Sequence, residues 1–315
     1  MSNSEQLAFV FPGQGSQKIG MLADIAEVNP LVKKTFAEAS AALGYDLWEL
    51  VQSGPQEKLN MTEVTQPALL TSSVALWRVW QDLGGTMPVR MAGHSLGEWS
   101  ALVCAGVIGF TDAVRLVRAR GQYMQEAVPA GVGAMAAIIG LADEQVESVC
   151  TQASGASDVV SPVNYNSPGQ LVIAGHKAAV EKAMVLCKEA GAKRALPLPV
   201  SAPFHTSLMK PAADRLSAEI EATEFQVPTI PVVHNVTAKT ESDPARIKAL
   251  MVEQIYSAVR WVECVRALAE HGVTVTLECG PGKVLSGLNR RIEKSLQAYN
   301  IDTAAALETS LAELK

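Results

Sequence analysis

Apolar residues follow two rhythms along this chain, and the order in which the rhythms alternate predicts a layered α/β protein. Leu7-Ala8-Phe9-Val10-Phe11 is a short unbroken apolar run stopped by Pro12-Gly13-Gln14-Gly15. Such a run, bounded by turn residues, reads as a buried strand entering a tight loop. From Ala68 to Leu83 the pattern changes: Leu69, Leu70, Leu76, Trp77, Trp80 and Leu83 recur mostly at helical spacing, with Ser73 the weak member. Pro67 in the first turn suits a helix start there. Val89–Gly93 then predicts a brief strand, and Leu96–Gly106 a helix rich in small and apolar residues. Strand, helical crossover and strand in that order are the grammar of a parallel sheet flanked by helices.

The middle of the chain reads differently. Ala134–Gly140 predicts a strand, Asp143–Ala153 a helix, Val159–Tyr165 and Gln170–Ala174 two strands around the turn Asn166-Ser167-Pro168-Gly169. Lys177–Ala190 follows as a helix and Lys193–Leu198 as a strand. The order βαββαβ is the ferredoxin-like unit. Gly131-Val132-Gly133 and Pro197-Leu198-Pro199 supply hinges at its ends, and beyond it the α/β pattern resumes with strands over Ile230–Val236 and Val273–Glu278. The expected architecture is a main domain over residues 1–130 and 200–315 carrying an inserted ferredoxin-like subdomain over 131–199.

Composition narrows the class. With 315 residues, 48% hydrophobic and 18% charged, the chain buries a sizeable core and lacks the balance of a disordered segment. A net charge of −6 argues against a broad nucleic-acid surface, so an anionic partner needs a local basic patch. The five cysteines are scattered, without zinc or redox spacing, which predicts reduced, mostly buried thiols. Met1 to Gln6 has no basic leader and no run nears the roughly 18 apolar residues of a membrane span, so a cytoplasmic protein without membrane contact is expected. Neither a dinucleotide fingerprint nor a zinc-ligand helix is present: Gly13-Gln14-Gly15 is followed by Lys18 where a third glycine would stand. No cofactor and no metal are expected.

Candidate chemistry centres on Gly93-His94-Ser95-Leu96-Gly97, a G-x-S-x-G with a predicted strand before it and a helix after it. A serine on that strained turn needs small residues two positions either side, and the turn aims the Leu96 amide at a developing oxyanion. A serine hydroxyl also needs a base. Of five histidines, His176 opens a predicted surface helix, His271 sits in a turn, His234 lies in a predicted strand and His94 leaves the elbow in another direction. His205, in Ser201-Ala202-Pro203-Phe204-His205, lies where the chain re-enters the main domain, a natural cleft wall, though a lone histidine is often structural. Asp112, Asp143 and Asp158 lie between serine and histidine, but none follows an obvious strand end, so a carbonyl is the alternative partner for the imidazole.

Several segments, in order and over nearly the whole chain, resemble the bacterial malonyl-CoA:acyl carrier protein transacylases. They are Phe11-Pro12-Gly13-Gln14-Gly15-Ser16-Gln17, Thr65-Gln66-Pro67-Ala68, Gly93-His94-Ser95-Leu96-Gly97-Glu98 and Arg118-Ala119-Arg120-Gly121. Asn164-Tyr165-Asn166-Ser167-Pro168-Gly169-Gln170, Ser201-Ala202-Pro203-Phe204-His205 and Glu278-Cys279-Gly280-Pro281-Gly282 complete the set. The resemblance implies an α/β-hydrolase-like core with an inserted ferredoxin-like subdomain. It implies Ser95 as the malonylated nucleophile, His205 as its base, backbone amides of Gln14 and Leu96 as the oxyanion hole, and the Gln254 carbonyl as the group that orients the histidine. Arg120 becomes the grip on the malonyl carboxylate, which a guanidinium fork binds through two parallel hydrogen bonds. Without the resemblance, Arg120 would cap the helix expected over Asp112–Arg118. Phe204 resembles the malonyl-selective form of its segment, where a ring crowds an α-methyl branch.

The implied partners are malonyl-CoA and an acyl carrier protein, both anionic. Lys283, Arg290, Arg291 and Lys294 against Glu293, or Lys188, Lys193 and Arg194 against Glu189, form candidate docking patches or else plain solvated helix faces. A serine hydrolase and a non-catalytic carrier-protein binding module are the alternative functions.

Overall fold

A computed structural model describes residues 6–200 and 202–314. Ser201, the first residue of the segment ending in His205, and the leading stretch Met1 to Glu5 lie outside the described residues.

Among the described residues, nine strands fall into two sheets. The larger is built from β1 (Leu7–Phe11), β2 (Arg90–Gly93), β7 (Val232–Val233), β8 (Val275–Glu278) and β9 (Gln297–Asn300), in the order β7-β2-β1-β8-β9 and parallel throughout. All five residues of β1 are buried, as expected of a central parallel strand covered on both faces. The two-residue period sorts its side chains: Leu7, Phe9 and Phe11 enter one core, Ala8 and Val10 the other. On the first face Phe9 meets Trp77 and Trp80 edge-on, with ring centroids 5.3 and 5.6 Å apart.

The smaller sheet contains β3 (Gly133–Ile139), β4 (Val160–Ser167), β5 (Gln170–His176) and β6 (Arg194–Pro197), ordered β4-β5-β3-β6 with every pair antiparallel. The helices Asp143–Ala153 and Lys177–Glu189 cover it and share its separate core of residues such as Ile138, Val146, Leu171 and Val180. Order and connections are those of the ferredoxin-like unit. One parallel bridge ties this sheet to the rest: Tyr165 N–H donates to the Val259 carbonyl at 3.0 Å and Val259 N–H to the Val163 carbonyl at 2.8 Å.

Three expected boundaries are corrected. The helix expected from Ala68 starts at Thr62, after four shorter helices between Ala23 and Leu59, so Pro67 lies inside the Thr62–Asp82 helix. Its polar opening turns show no apolar period; packing holds them instead, because Gly121 lets the Phe110–Glu126 helix approach until a Cβ there would lie 2.5 Å from the Thr62 carbonyl oxygen. The helix expected over Asp112–Arg118 runs Phe110–Glu126, which places Arg120 in its interior and removes the capping alternative. The strand expected over Ile230–Val236 shrinks to Val232–Val233, since His234 and Asn235 turn aside to bond the elbow.

Candidate active site

The carboxyl ends of β1 and β2 build the site. Ser95 follows β2 and opens the Leu96–Cys104 helix with φ 52°, a left-handed backbone that a non-glycine residue adopts only when its surroundings impose it. The flanking glycines impose it here. A Cβ on Gly93 would lie 2.0 Å from the Gly97 backbone, and one on Gly97 would lie 2.0 Å from the Phe11 carbonyl oxygen. The elbow is therefore pressed against the end of β1, which brings the Gln14 loop alongside Ser95.

His205 meets Ser95 from the other side of the cleft. Its Nε2 accepts from Ser95 Oγ at 2.7 Å, and its Nδ1 lies 2.9 Å from the Gln254 carbonyl oxygen. A carbonyl only accepts, so Nδ1 carries the proton and the Nε2 lone pair faces the hydroxyl. His205 also has positive φ, 64°, so both members of the pair occupy strained backbone. Burial, followed by the Arg120 charge, pushes the His205 pKa down to about 3. The ring is held neutral.

The other four histidines are engaged elsewhere. His94 Nε2 donates to Asn166 Oδ1 at 2.8 Å with its ring against Trp261. His176 accepts from Val159 N–H, His271 donates to the Ala267 carbonyl and His234 donates to Glu98. Asp112 pairs with Arg115 on the surface, and the imidazole partner is the Gln254 carbonyl rather than a carboxylate.

Arg120, only 1% exposed, projects from the Phe110–Glu126 helix into the same cleft. Its Nη1 donates to Gln66 Oε1 at 2.8 Å; its Nη2 donates to Gln254 Oε1 at 3.0 Å and to Ser95 Oγ at 3.2 Å. Burial pulls its pKa down to about 10 and the Glu98 charge opposes that, so the guanidinium stays ionised at neutral pH. The cleft occupies about 340 Å³ and is lined by Gln14, Ser95, Arg120, Met135, Leu198 and Phe204 among others. Backbone N–H groups of Gln14 and Leu96 donate to no protein acceptor among the described residues. Two unpaired amides beside a serine hydroxyl that bonds an imidazole are what an oxyanion hole would need.

Three side chains in this network escaped the sequence reading as site members. Gln66 stands in the quoted Thr65-Gln66-Pro67 segment and Glu98 ends the elbow segment, so both were within reach of a signal. Asn235 carried none: its Oδ1 accepts from Ser95 N–H at 2.8 Å and its Nδ2 donates to the Gly93 carbonyl at 2.7 Å across 140 and 142 residues of chain. The cysteines are free and buried. Among the described residues no helix is long and apolar enough to cross a membrane.

Comparison with known proteins places this geometry in a family. The acyl transferase domain model matches residues 8–309. A malonyl CoA-acyl carrier protein transacylase of Salmonella typhimurium is 61% identical over 308 residues, 98% of this chain and 99% of that protein. The crystal structure of an acyl carrier protein S-malonyltransferase from Vibrio cholerae superposes with a TM-score of 0.95 at 60% identity, covering 96% of this chain and 99% of that one. A malonyl-transacylase in complex with its type II PKS acyl-carrier protein gives a TM-score of 0.96 at 57% identity, with 98% and 99% covered. The chain belongs to the malonyl CoA-acyl carrier protein transacylase family.

Proposed function

We propose that this protein transfers the malonyl group of malonyl-CoA to the phosphopantetheine thiol of an acyl carrier protein, through a malonyl-Ser95 intermediate, and so supplies fatty acid synthesis. The observation that carries the reading is that Ser95 Oγ lies within hydrogen-bond reach of His205 Nε2 and of Arg120 Nη2 at once. A base on one side activates the hydroxyl; a cation on the other gives the acyl group's far end a place to go.

In the first half-reaction His205 Nε2 takes the Ser95 proton as Oγ attacks the thioester carbonyl. The oxyanion rests on the Gln14 and Leu96 amides. The carbon–sulfur bond breaks, and coenzyme A departs with the proton held by His205. In the second half-reaction the carrier-protein thiol gives its proton to His205 and its sulfur attacks malonyl-Ser95. Ser95 then leaves and recovers a proton from the imidazolium. Gln254 holds the imidazole tautomer through its carbonyl, and Arg120 binds the malonyl carboxylate, exchanging neutral side-chain oxygens for a charged one. Acetyl-CoA would leave that cation without a counter-ion, and Phe204 crowds an α-methyl branch.

Residues 131–199 act in this reading as a subdomain that closes one side of the cleft, to which Met135 and Leu198 contribute. A cytoplasmic location belongs to the same proposal. Lys188, Lys193 and Arg194 are exposed, as are Lys283, Arg290, Arg291 and Lys294, and either group suits an anionic partner. In the second group, however, Arg290 already bonds the Ala298 carbonyl and Arg291 bonds Gln170.

Intact-protein mass after brief mixing with malonyl-CoA tests the reading. A malonyl adduct on the wild type, absent from Ser95→Ala and discharged by phosphopantetheinylated carrier protein, is expected. An adduct discharged only by water would make the protein a hydrolase instead.

A further inference from the structure

Arg120 is a buried cation whose fork touches only neutral oxygens: those of Gln66, Gln254 and Ser95. Its Nε has no partner among the described residues. A buried charge without compensation is strongly destabilising, yet a carboxylate bonded directly to the fork would occupy the positions a substrate carboxylate needs. The counter-charge must therefore be near but not in contact.

Two glutamates are buried among the described residues, Glu98 and Glu278. Glu278 is engaged by the start of the Val284–Ile292 helix, accepting from Leu285 N–H, Ser286 N–H and the Ser286 hydroxyl. Glu98, one turn beyond Ser95 and 1% exposed, faces the site. Its Oε2 accepts from Gln254 Nε2 at 2.6 Å, while the oxygen of that same carboxamide accepts from Arg120 Nη2 at 3.0 Å. Carboxylate, carboxamide and guanidinium form an unbroken chain. Asn235 N–H at 3.1 Å and His234 Nδ1 at 2.7 Å hold the carboxylate in place. His234 is wholly buried and its Nε2 has no acceptor, so the neutral ring, with its one proton on Nδ1, leaves only a lone pair unmatched. An imidazolium would leave a buried N–H unpaired, and the charge of Glu98 is therefore not cancelled by its neighbour.

We propose that Glu98 is a positioning residue and the remote counter-charge of Arg120, with the Gln254 carboxamide as a spacer that keeps the guanidinium ionised and still free to grip a substrate carboxylate. The inference rests on the malonyl-transfer reading. It implies that the grip on malonate is deliberately moderated, tight enough to select it and loose enough to release it to the carrier protein.

Glu98→Gln removes the charge and preserves the shape. The new carboxamide keeps its oxygen toward Gln254 and Asn235 and turns its NH2 toward His234, which accepts it by moving its own proton to Nε2; that N–H is then buried and unpaired, a cost the thermal melt reads. Steady-state transfer is measured for malonyl-CoA and acetyl-CoA, with a thermal melt of each variant. With only the substrate left to balance Arg120, the malonyl-CoA KM is expected to fall about tenfold and kcat to fall with it, because release to the carrier protein slows, whereas the acetyl-CoA KM moves less than about twofold. An unchanged or raised malonyl-CoA KM, or equal loss toward both substrates, overturns the inference. If Glu98→Gln does not fold, Glu98→Asp decides: it keeps the charge, so a malonyl-CoA KM within about twofold of wild type supports the counter-charge and a larger rise refutes it. Failure of the underlying reading looks different, since the wild type itself would then form no malonyl adduct.

Discussion

Arg120 and Glu278 are both buried ionisable groups near the carboxyl edge of the parallel sheet, and they are satisfied in opposite ways. Glu278 has fixed donors: two backbone amides and a hydroxyl of one helix start, at 2.7–3.1 Å. The two amides do not move without unwinding the helix, so nothing from solution competes for the carboxyl. Burial pushes its pKa up to about 7, against the pull of the same donors. Arg120 instead bonds side-chain oxygens at the wall of an open cleft. Neutral and rotatable, they yield to a charged ligand. Glu278 is thus held by the fold, whereas Arg120 has partners that a charged ligand can displace, as the proposed function requires.

The sharpest way to break this contrast is at the reacting pair that Arg120 adjoins. Ser95→Ala or His205→Ala is expected to lower transfer by more than about 10³-fold, and Ser95→Ala should leave the melting temperature near wild type, because alanine keeps the Cβ and the imposed backbone and loses only the hydroxyl. Arg120→Ala comes next. Its malonyl-over-acetyl preference should fall by roughly 10², measured as the ratio of kcat/KM values. A variant that kept its preference would put the malonyl carboxylate elsewhere.

Legibility in the sequence followed the range of the interactions. In the small sheet each strand and helix packs against neighbours close in the chain, and the expected elements from Ala134 to Leu198 lie within a few residues of those observed. Around the cleft, long-range partners decide the ends. Pro67 lies mid-helix because Gly121 packs on the turn before it, and Val232–Val233 is short because His234 and Asn235 are drawn to a glutamate and an elbow over 130 residues away. Ser95 was legible since its constraint is local, two glycines and a turn. His205 was favoured by its place where the chain re-enters the main domain, and the family resemblance then gave it the role of base. Glu98 stands in the quoted elbow segment, but its partners, and Asn235 altogether, were not legible, because no local pattern records a hydrogen bond that only the fold creates.

On the other side of the comparison, Glu278→Ala should destabilise the protein by about 2 kcal/mol, read from denaturant unfolding, because it leaves the buried Leu285 and Ser286 amides unpaired. Turnover per folded molecule should be unchanged. A loss of malonyl preference in this variant would erase the distinction between a structural and a binding charge.

The smallest expected effect is in the pH dependence of acylation. An ordinary imidazole with pKa near 6.5 loses half its base form at that pH, and the rate with it. Burial and the Arg120 charge depress the His205 pKa to about 3, so in the free enzyme the neutral base persists well below the usual midpoint. Rapid-quench acetylation of Ser95 by acetyl-CoA, which brings no carboxylate to neutralise Arg120, should therefore change less than about twofold between pH 8 and 6. Arg120→Ala removes one of the two leading influences that lower the pKa, so its acid limb should lie at higher pH than that of the wild type. The same depression has a cost in stability: the unfolded chain takes up the proton first, so stability falls as pH drops through 6.5 toward 3, and over a narrower span in Arg120→Ala. An acid limb at the same pH in both proteins would mean that the Arg120 charge does not reach the base, and that its place beside Ser95 serves substrate binding alone.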